Sequence, residues 1–318
     1  MTPALSLLLI VVAGLSISAQ TDPAQAVGSL CILPHPTKAQ ARGGSPHMPR
    51  PAEKYTLRLD GGRWQDVTMA VVLERLHQYL RDYAELLPAT IAIERYNQRV
   101  GARERVELES EFGIVRVPNN PQWLGFRDVM KVNGTAVESR DQRLVSLFEN
   151  LTVDAIEQAG RISAESARFN IGPLRRSIND PALVLELLDW RNAHRMRVQK
   201  IREVTSNGIP AWIVRFQETG RPTIVRTSSL GDVPSNGQAW IDPSTGRLLR
   251  VQATIGAISG VRCEVDVAFE NVPQLDFFVP ARMMERCFDG AFVQEGEATY
   301  DNYRKFTVET RESVGPIP

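Results

Sequence analysis

The sequence predicts an α+β fold: a curved, mostly antiparallel sheet, open like half a barrel, with helices packed on one face. Three observations predict it. Helical periodicity is confined to the part of the chain before about residue 190. After residue 195, short runs rich in Val, Ile, Phe and Thr follow one another, punctuated by Gly, Pro, Asn and Asp. Several runs alternate apolar with charged residues, the pattern of a sheet with one face buried and one wet.

The elements can be taken in order. Leu5 to Leu15 is an almost unbroken apolar run, followed by the small residues Ser16, Ser18 and Ala19. Crossing a bilayer takes about 17 or more apolar residues, so this shorter run reads as a cleaved export signal over residues 1–19. No transmembrane span is then expected, and the chain is expected in the periplasm or outside the cell. Cys31 follows Leu30 directly, and a lipid-attachment site wants a small residue there, so Cys31 is not read as lipidated. Residues 20–54 carry Pro, Gly, Ala and Ser with few large apolar side chains, and too little surface to offset ordering entropy makes a flexible tether. Residues 55–318 are expected to form one α+β domain, with a possible subdivision near 140–190.

Within that domain Asp66 is the expected N-cap of a helix. Met69, Val72, Leu73, Leu76, Leu80, Tyr83 and Leu87 make one apolar stripe that Pro88 stops. Strands are expected over 90–100 and 105–117. In the second, Val106, Leu108, Phe112 and Ile114 alternate with Arg105, Glu107, Glu109 and Glu111. A further strand covers 125–137, turning at Asn133-Gly134. Helices are expected at 140–148, 152–169 and 181–188, the last with Asp180 as N-cap and Pro181 in its first turn. Strands then cover 195–204, 211–217, 223–226, 238–241, 247–255, 261–269, 278–288 and 297–310.

Val261, Cys263, Val265, Val267 and Phe269 share one face of a strand. A chain reversal near Gln274-Leu275 would set Cys263 opposite Cys287. Export makes a disulfide between Cys263 and Cys287 the expected state, worth roughly 3 kcal/mol in the chain-entropy model. Two buried free thiols are the alternative.

Charge and motifs exclude several functions. The 37 basic and 37 acidic residues cancel and are interspersed, which argues against nucleic acid or an anionic membrane as partner. His35 and His47 lie in the tether, His77 beside the helical stripe, and His194 in a charged loop. HExxH, GxSxG, CxxC and a Gly-rich phosphate loop do not occur, so no metal, cofactor or catalytic residue is assigned. Glu107, Glu109 and Glu111 read as a solvated strand face. A hydrolase centred on His194 and Asp189 is kept as an alternative, with enzyme activity undecided and leaning to none.

Two segments resemble known modules. Gly125-Phe126-Arg127-Asp128-Val129-Met130-Lys131-Val132-Asn133-Gly134-Thr135-Ala136-Val137, with Leu144 and Leu147, resembles the second half of a PDZ domain. That family binds peptide C-termini by strand addition. Trp123-Leu124-Gly125-Phe126 is the nearest match to its carboxylate loop. Trp240-Ile241-Asp242-Pro243-Ser244-Thr245-Gly246 resembles the W-x-D-x-x-x-G hairpin of LolA-like periplasmic lipoprotein carriers. That resemblance implies an unclosed antiparallel barrel on helices, with an apolar cavity for acyl chains. The overall pattern is also similar to that of secreted bacterial proteins.

The function expected is therefore an exported binding protein, holding a hydrophobic small molecule or lipid against the concave face of its sheet. The candidate lining is Trp212, Val214, Phe216, Val265, Val267, Phe269 and Met283. The alternative is an interaction module for an envelope protein, using residues 125–137 or an exposed sheet edge.

Overall fold

The computed structural model describes residues 29–32, 54–58, 64–87, 90–102, 104–116, 123–138, 161, 164–172, 175–176, 178–227, 230–258, 261–290 and 292–305. The export signal lies outside the described residues, as do the expected helix at 140–148 and most of that at 152–169, of which 161 and 164–166 are helical and 167–169 form a turn.

Eleven strands form one sheet. In chain order they are β1 (Thr90–Val100), β2 (Glu104–Arg116), β3 (Trp123–Val132), β4 (Thr135–Ala136), β5 (Met196–Ser206), β6 (Ile209–Glu218), β7 (Ser235–Ile241), β8 (Leu248–Ile258), β9 (Val261–Val272), β10 (Phe277–Asp289) and β11 (Phe292–Lys305). Across the sheet the order is β4-β3-β2-β1-β11-β10-β9-β8-β7-β6-β5, antiparallel throughout. Two meanders, β1 to β4 and β5 to β11, thus meet at one seam. There β11 pairs with β1, from Gln294 opposite Val100 to Lys305 opposite Thr90.

Local chemistry sets the connections. Asn133 and Gly134 have φ of 50° and 80°, and Asn207 and Gly208 have 49° and 80°. Both positions of a two-residue turn need positive φ to match the strand twist, which is why Asn-Gly recurs there. In the β7–β8 turn the Asp242 carboxylate accepts from the Ser244 N–H at 2.8 Å, and the Gly246 N–H returns to the Asp242 carbonyl at 2.8 Å. Gly246 has φ of 79°, and a Cβ there would lie 2.2 Å from the Arg75 carbonyl carbon, so the turn is packed backbone to backbone on a helix.

That helix is α1 (Met69–Leu86). Its N-cap is Thr68, whose hydroxyl accepts from the Val71 N–H at 3.3 Å, and not Asp66. Asp66 lies in the strand Trp64–Thr68, paired with Lys54–Arg58, and this pairing keeps the backbone extended to Thr68. The buried stripe is Met69, Val72, Leu76, Tyr79, Leu80, Tyr83 and Ala84. The second helix, α2 (Ala182–Leu188), starts where Asp180 accepts from the Ala182 N–H at 2.7 Å. Its residues Ala182 to Leu187 are all buried, including Glu186. A helix buried all round lies inside a core rather than on it. Consistently, α2 touches both β3 and β8, which are separated in the sheet by five strands. The sheet therefore curls around α2.

Ser29–Ile32, within the segment read as a tether, is a strand. It pairs antiparallel with Val225–Thr227 and parallel with Arg175–Arg176, placing Cys31 opposite Arg226. Between β9 and β10, Cys263 stands opposite Cys287, and their sulfurs are bonded. Val261 opposite Asp289 and Ala268 opposite Arg282 keep the same register, until a bulge at Phe269 shifts it by one.

Candidate ligand-binding face

Strand alternation sends Trp212, Val214 and Phe216 of β6, Val265, Val267 and Phe269 of β9, and Met283 of β10 to the concave side. All seven are buried in one cluster with Val72, Leu76, Leu80 and Tyr83 of α1 and the apolar residues of α2. The candidate lining is thus gathered on one surface, and the chain's own helices fill the space against it. Burial of each large side chain is worth about 1.5–3 kcal/mol. Helix α1 is fixed at its middle turns. Arg75 donates to the Pro243 carbonyl at 2.6 Å, the Tyr79 hydroxyl donates to the Phe278 carbonyl at 2.9 Å, and Tyr79 stacks on Phe277 at 4.8 Å between centroids.

The other half of the concave side holds a set of buried polar groups among Leu108, Phe112 and Ile114. Glu94, Tyr96 and Gln98 of β1, Ser110 of β2, Arg127 of β3, Glu285 of β10 and Gln294 of β11 are buried there. Arg127 makes a two-pronged ion pair with Glu94, lies with its guanidinium 4.6 Å from the Tyr96 ring, and donates to the Asn179 carbonyl at 3.1 Å. Burial works against its charge, but Glu94 outweighs burial and raises its pKa. The Tyr96 hydroxyl donates to Glu285 and accepts from the Asn179 amide at 3.2 Å. Gly296 makes room for this: a Cβ there would lie 2.5 Å from the Tyr96 hydroxyl and 2.7 Å from the Glu285 carboxylate. Residues 166–172 strap this half down. Gln98 donates to the Phe169 carbonyl at 3.1 Å and accepts from the Ile171 N–H at 3.2 Å, and Gln294 donates to the Ile171 carbonyl at 2.8 Å.

Sequence reasoning missed this buried polar set. The available signal was in β1, where Glu94, Tyr96 and Gln98 alternate with Arg95, Asn97 and Arg99. A strand polar on both faces must turn one polar set inward when both neighbours are paired.

The two edges of the sheet differ. At β3, Glu186 of α2 accepts from the Trp123 N–H at 2.8 Å. Further along, Ser166 accepts from the Arg127 N–H at 2.9 Å and donates to the Gly125 carbonyl at 3.2 Å. A Cβ on Gly125 would lie 2.2 Å from the Asp180 carboxyl carbon. The segment resembling a PDZ carboxylate loop is therefore a sheet strand paired with β2, its outer main-chain groups already taken by side chains. Burial pushes Glu186 up to about 7 and Asp180 up to about 6.

His194 and Asp189 do not form a catalytic pair. Asp189 is buried, accepting from the Trp123 indole at 2.7 Å and pairing with Arg191, while His194 is exposed and contacts Arg195 at 3.4 Å. His77 has its pKa lowered, chiefly by burial. Among the described residues no group of three or more His, Cys, Asp or Glu is placed to hold a metal ion, and no helix is long and apolar enough to cross a membrane. The opposite, uncovered face is a ladder of ion pairs, among them Arg99–Glu295, Arg250–Asp266 and Arg304–Glu111. It contains a groove of about 740 Å³ in which Met284 is 58% exposed.

No protein-family model matches the sequence, and no curated protein matches it. Solved structures do resemble it. A putative outer membrane lipoprotein-sorting protein domain from Vibrio parahaemolyticus is 13% identical, with 76% of this chain and 94% of that one covered and a TM-score of 0.38. A DUF1329 family protein from Desulfovibrio piger is 9% identical, with 78% and 94% covered and a TM-score of 0.35. A LolA superfamily protein from Nitrosomonas europaea is 10% identical, with 77% and 96% covered and a TM-score of 0.30. Each likeness spans about three quarters of this chain. At these scores it is a likeness of arrangement, and no residue role is carried over from it.

Proposed function

We propose that this chain is an exported, non-enzymatic binding protein of the bacterial envelope that shelters the apolar part of an amphiphilic molecule inside its curled sheet. One observation supports the reading: the concave side joins an apolar surface on β6 to β10 to a cluster of buried polar groups, Glu94, Tyr96, Gln98, Arg127, Glu285 and Gln294, contributed by β1, β3, β10 and β11. An acyl chain against Trp212, Val214, Phe216, Val265, Val267, Phe269 and Met283 would leave a polar head near Arg127 and Glu285. Ligand entry requires α1 or α2 to give way, because both now pack against that surface. A binding site that its own helices fill in the absence of ligand exchanges one apolar contact for another, so opening exposes little net surface to water.

Native mass spectrometry of the protein purified without detergent, followed by organic extraction, tests the reading. The expected result is an adduct removed by solvent. Brominated fatty acid should then quench the buried Trp212, and Trp212→Phe should lose that part of the quenching. A bare mass together with no quenching would overturn the proposal.

A further inference from the structure

The sheet has two lateral edges, and only one is closed. Side chains of Ser166 and Glu186 occupy the outer main-chain groups of β3. At the other side, β5 is the terminal strand: it pairs with β6, and no strand of the described residues pairs with its outer edge. It is 11 residues long, enough for an extended partner of about six residues, since each residue of a strand advances about 3.3 Å.

The charge around this edge differs from that of the rest of the uncovered face. Elsewhere on that face Arg95, Arg99, Arg250, Arg262, Arg286 and Arg304 each pair with a carboxylate, Arg105, which bonds Asn97, and Arg282 being exceptions. Arg197 and Arg202 of β5 and Arg215 of β6 are all exposed, and among the described residues none of the three pairs with a carboxylate. Register brings them to one side. Arg202 stands opposite Ile213, Gln199 opposite Arg215, and Arg197 opposite Gln217. A bulge at Ile201 makes this possible, because it returns Lys200 and Glu203 to the concave face, where Lys200 lies 3.7 Å from the Trp212 ring centroid. Ile201 itself is 40% exposed. On the concave side of the same strand, Met196 and Val198 are half-buried.

We propose that the free edge of β5 accepts an extended acidic segment of a partner protein as an additional strand. Its acidic side chains, at alternate positions, lie over Arg197, Arg202 and Arg215, and its intervening apolar side chains lie beside Met196 and Val198. Strand addition supplies affinity through main-chain hydrogen bonds, and the alternate side chains supply selectivity. Charged side chains and a bulge also serve to repel uninvited strands. That role predicts that no peptide binds, so the two readings separate by experiment.

The experiment uses the full chain and a fluorescein-labelled peptide of sequence Glu-Val-Glu-Thr-Glu-Val, read by anisotropy. The expected result is saturable binding that weakens as salt is raised. Reversal of the cations in Arg197→Glu/Arg202→Glu/Arg215→Glu should weaken it at least about tenfold, and the milder Gln triple variant should do so partly. The same peptide N-methylated at every residue should also bind at least about tenfold more weakly, since it keeps its charge and loses its donors. Circular dichroism checks that the variants stay folded. Absence of binding by the unaltered chain would overturn the proposal, as would equal binding of the N-methylated peptide or of the charge-reversed chain.

Discussion

Glu186 and Trp123 join a helix to the edge of a sheet: the carboxylate of one accepts from the main-chain N–H of the other at 2.8 Å, and both side chains are buried. The acceptor is an acid held in a place that disfavours its charge. Burial lifts its pKa from 4.5 to about 7, against the pull of the Trp123 N–H and Asn192.

The sign of the resulting pH dependence follows from linkage. The folded state keeps the proton in a range where the unfolded chain has released it. Stability from this group is present below about pH 4.5 and is lost as pH rises through about 7. The gap corresponds to about 3 kcal/mol. Glu295 and Asp232, held low by hydrogen bonds, act in the opposite direction, so the difference between chains is the quantity to measure. Urea denaturation of the unaltered chain and of Glu186→Gln at acid and alkaline pH should show the stability difference shifting toward the variant as pH rises. A pH-independent difference would refute the assignment.

The buried pair Glu94 and Arg127 predicts an asymmetric result. Arg127→Met should cost about 3–5 kcal/mol, because it leaves a buried carboxylate without its partner. Glu94→Leu combined with Arg127→Met should cost clearly less than Arg127→Met alone. Denaturant midpoints of the unaltered chain, both single variants and the double variant decide this, and additive losses would show that the two side chains are not coupled.

At the β7–β8 turn, Gly246→Ala combines a positive φ with a Cβ 2.2 Å from the backbone of Arg75. A loss of at least about 2 kcal/mol is expected, more than a left-handed alanine alone would cost. Gly208→Ala supplies the comparison: its φ is 80°, and nothing lies within 4 Å of the added carbon. Thermal melts that lower both equally would contradict the packing of this turn on α1.

Reduction of the bond between Cys263 and Cys287, which closes a separation of 24 residues, should lower stability by roughly 3 kcal/mol. Cys263→Ala/Cys287→Ala should match the reduced chain within about 1 kcal/mol, since both sites are buried and apolar. Melting with and without reductant provides the measurement.

The legible parts of this fold are those where one residue's neighbours determine its face. Cys263 and Cys287 could be set opposite each other because a single short turn separates two alternating strands. The Asn133-Gly134 and Asp242 to Gly246 turns were readable because each demands its own residue types. What could not be read was what the concave side holds. Glu94 and Arg127 look like surface residues in isolation, and their burial depends on strands brought together from distant parts of the chain. The run from Ala182 to Leu187 could be read as a helix, but not as one the sheet curls around, because its apolar residues fit either an inserted helix or a surface one. Asp66 was misread as a cap because the strand that includes it pairs with Lys54–Arg58, a segment with weak strand character.

The single seam between β1 and β11 bears on how the chain reaches this structure. Within each meander, neighbouring strands follow one another closely in sequence, so their contacts can form early and independently. The seam joins residues nearly two hundred positions apart, such as Val100 and Gln294. Closing so long a stretch costs entropy before it gains contacts, and distant pairings slow folding. The prediction is a late, rate-limiting closure of two preformed halves. In refolding followed by pulsed hydrogen exchange, the amides of β1 and β11 facing each other should be the last protected, and protection there as early as in β9 and β10 would rule this order out.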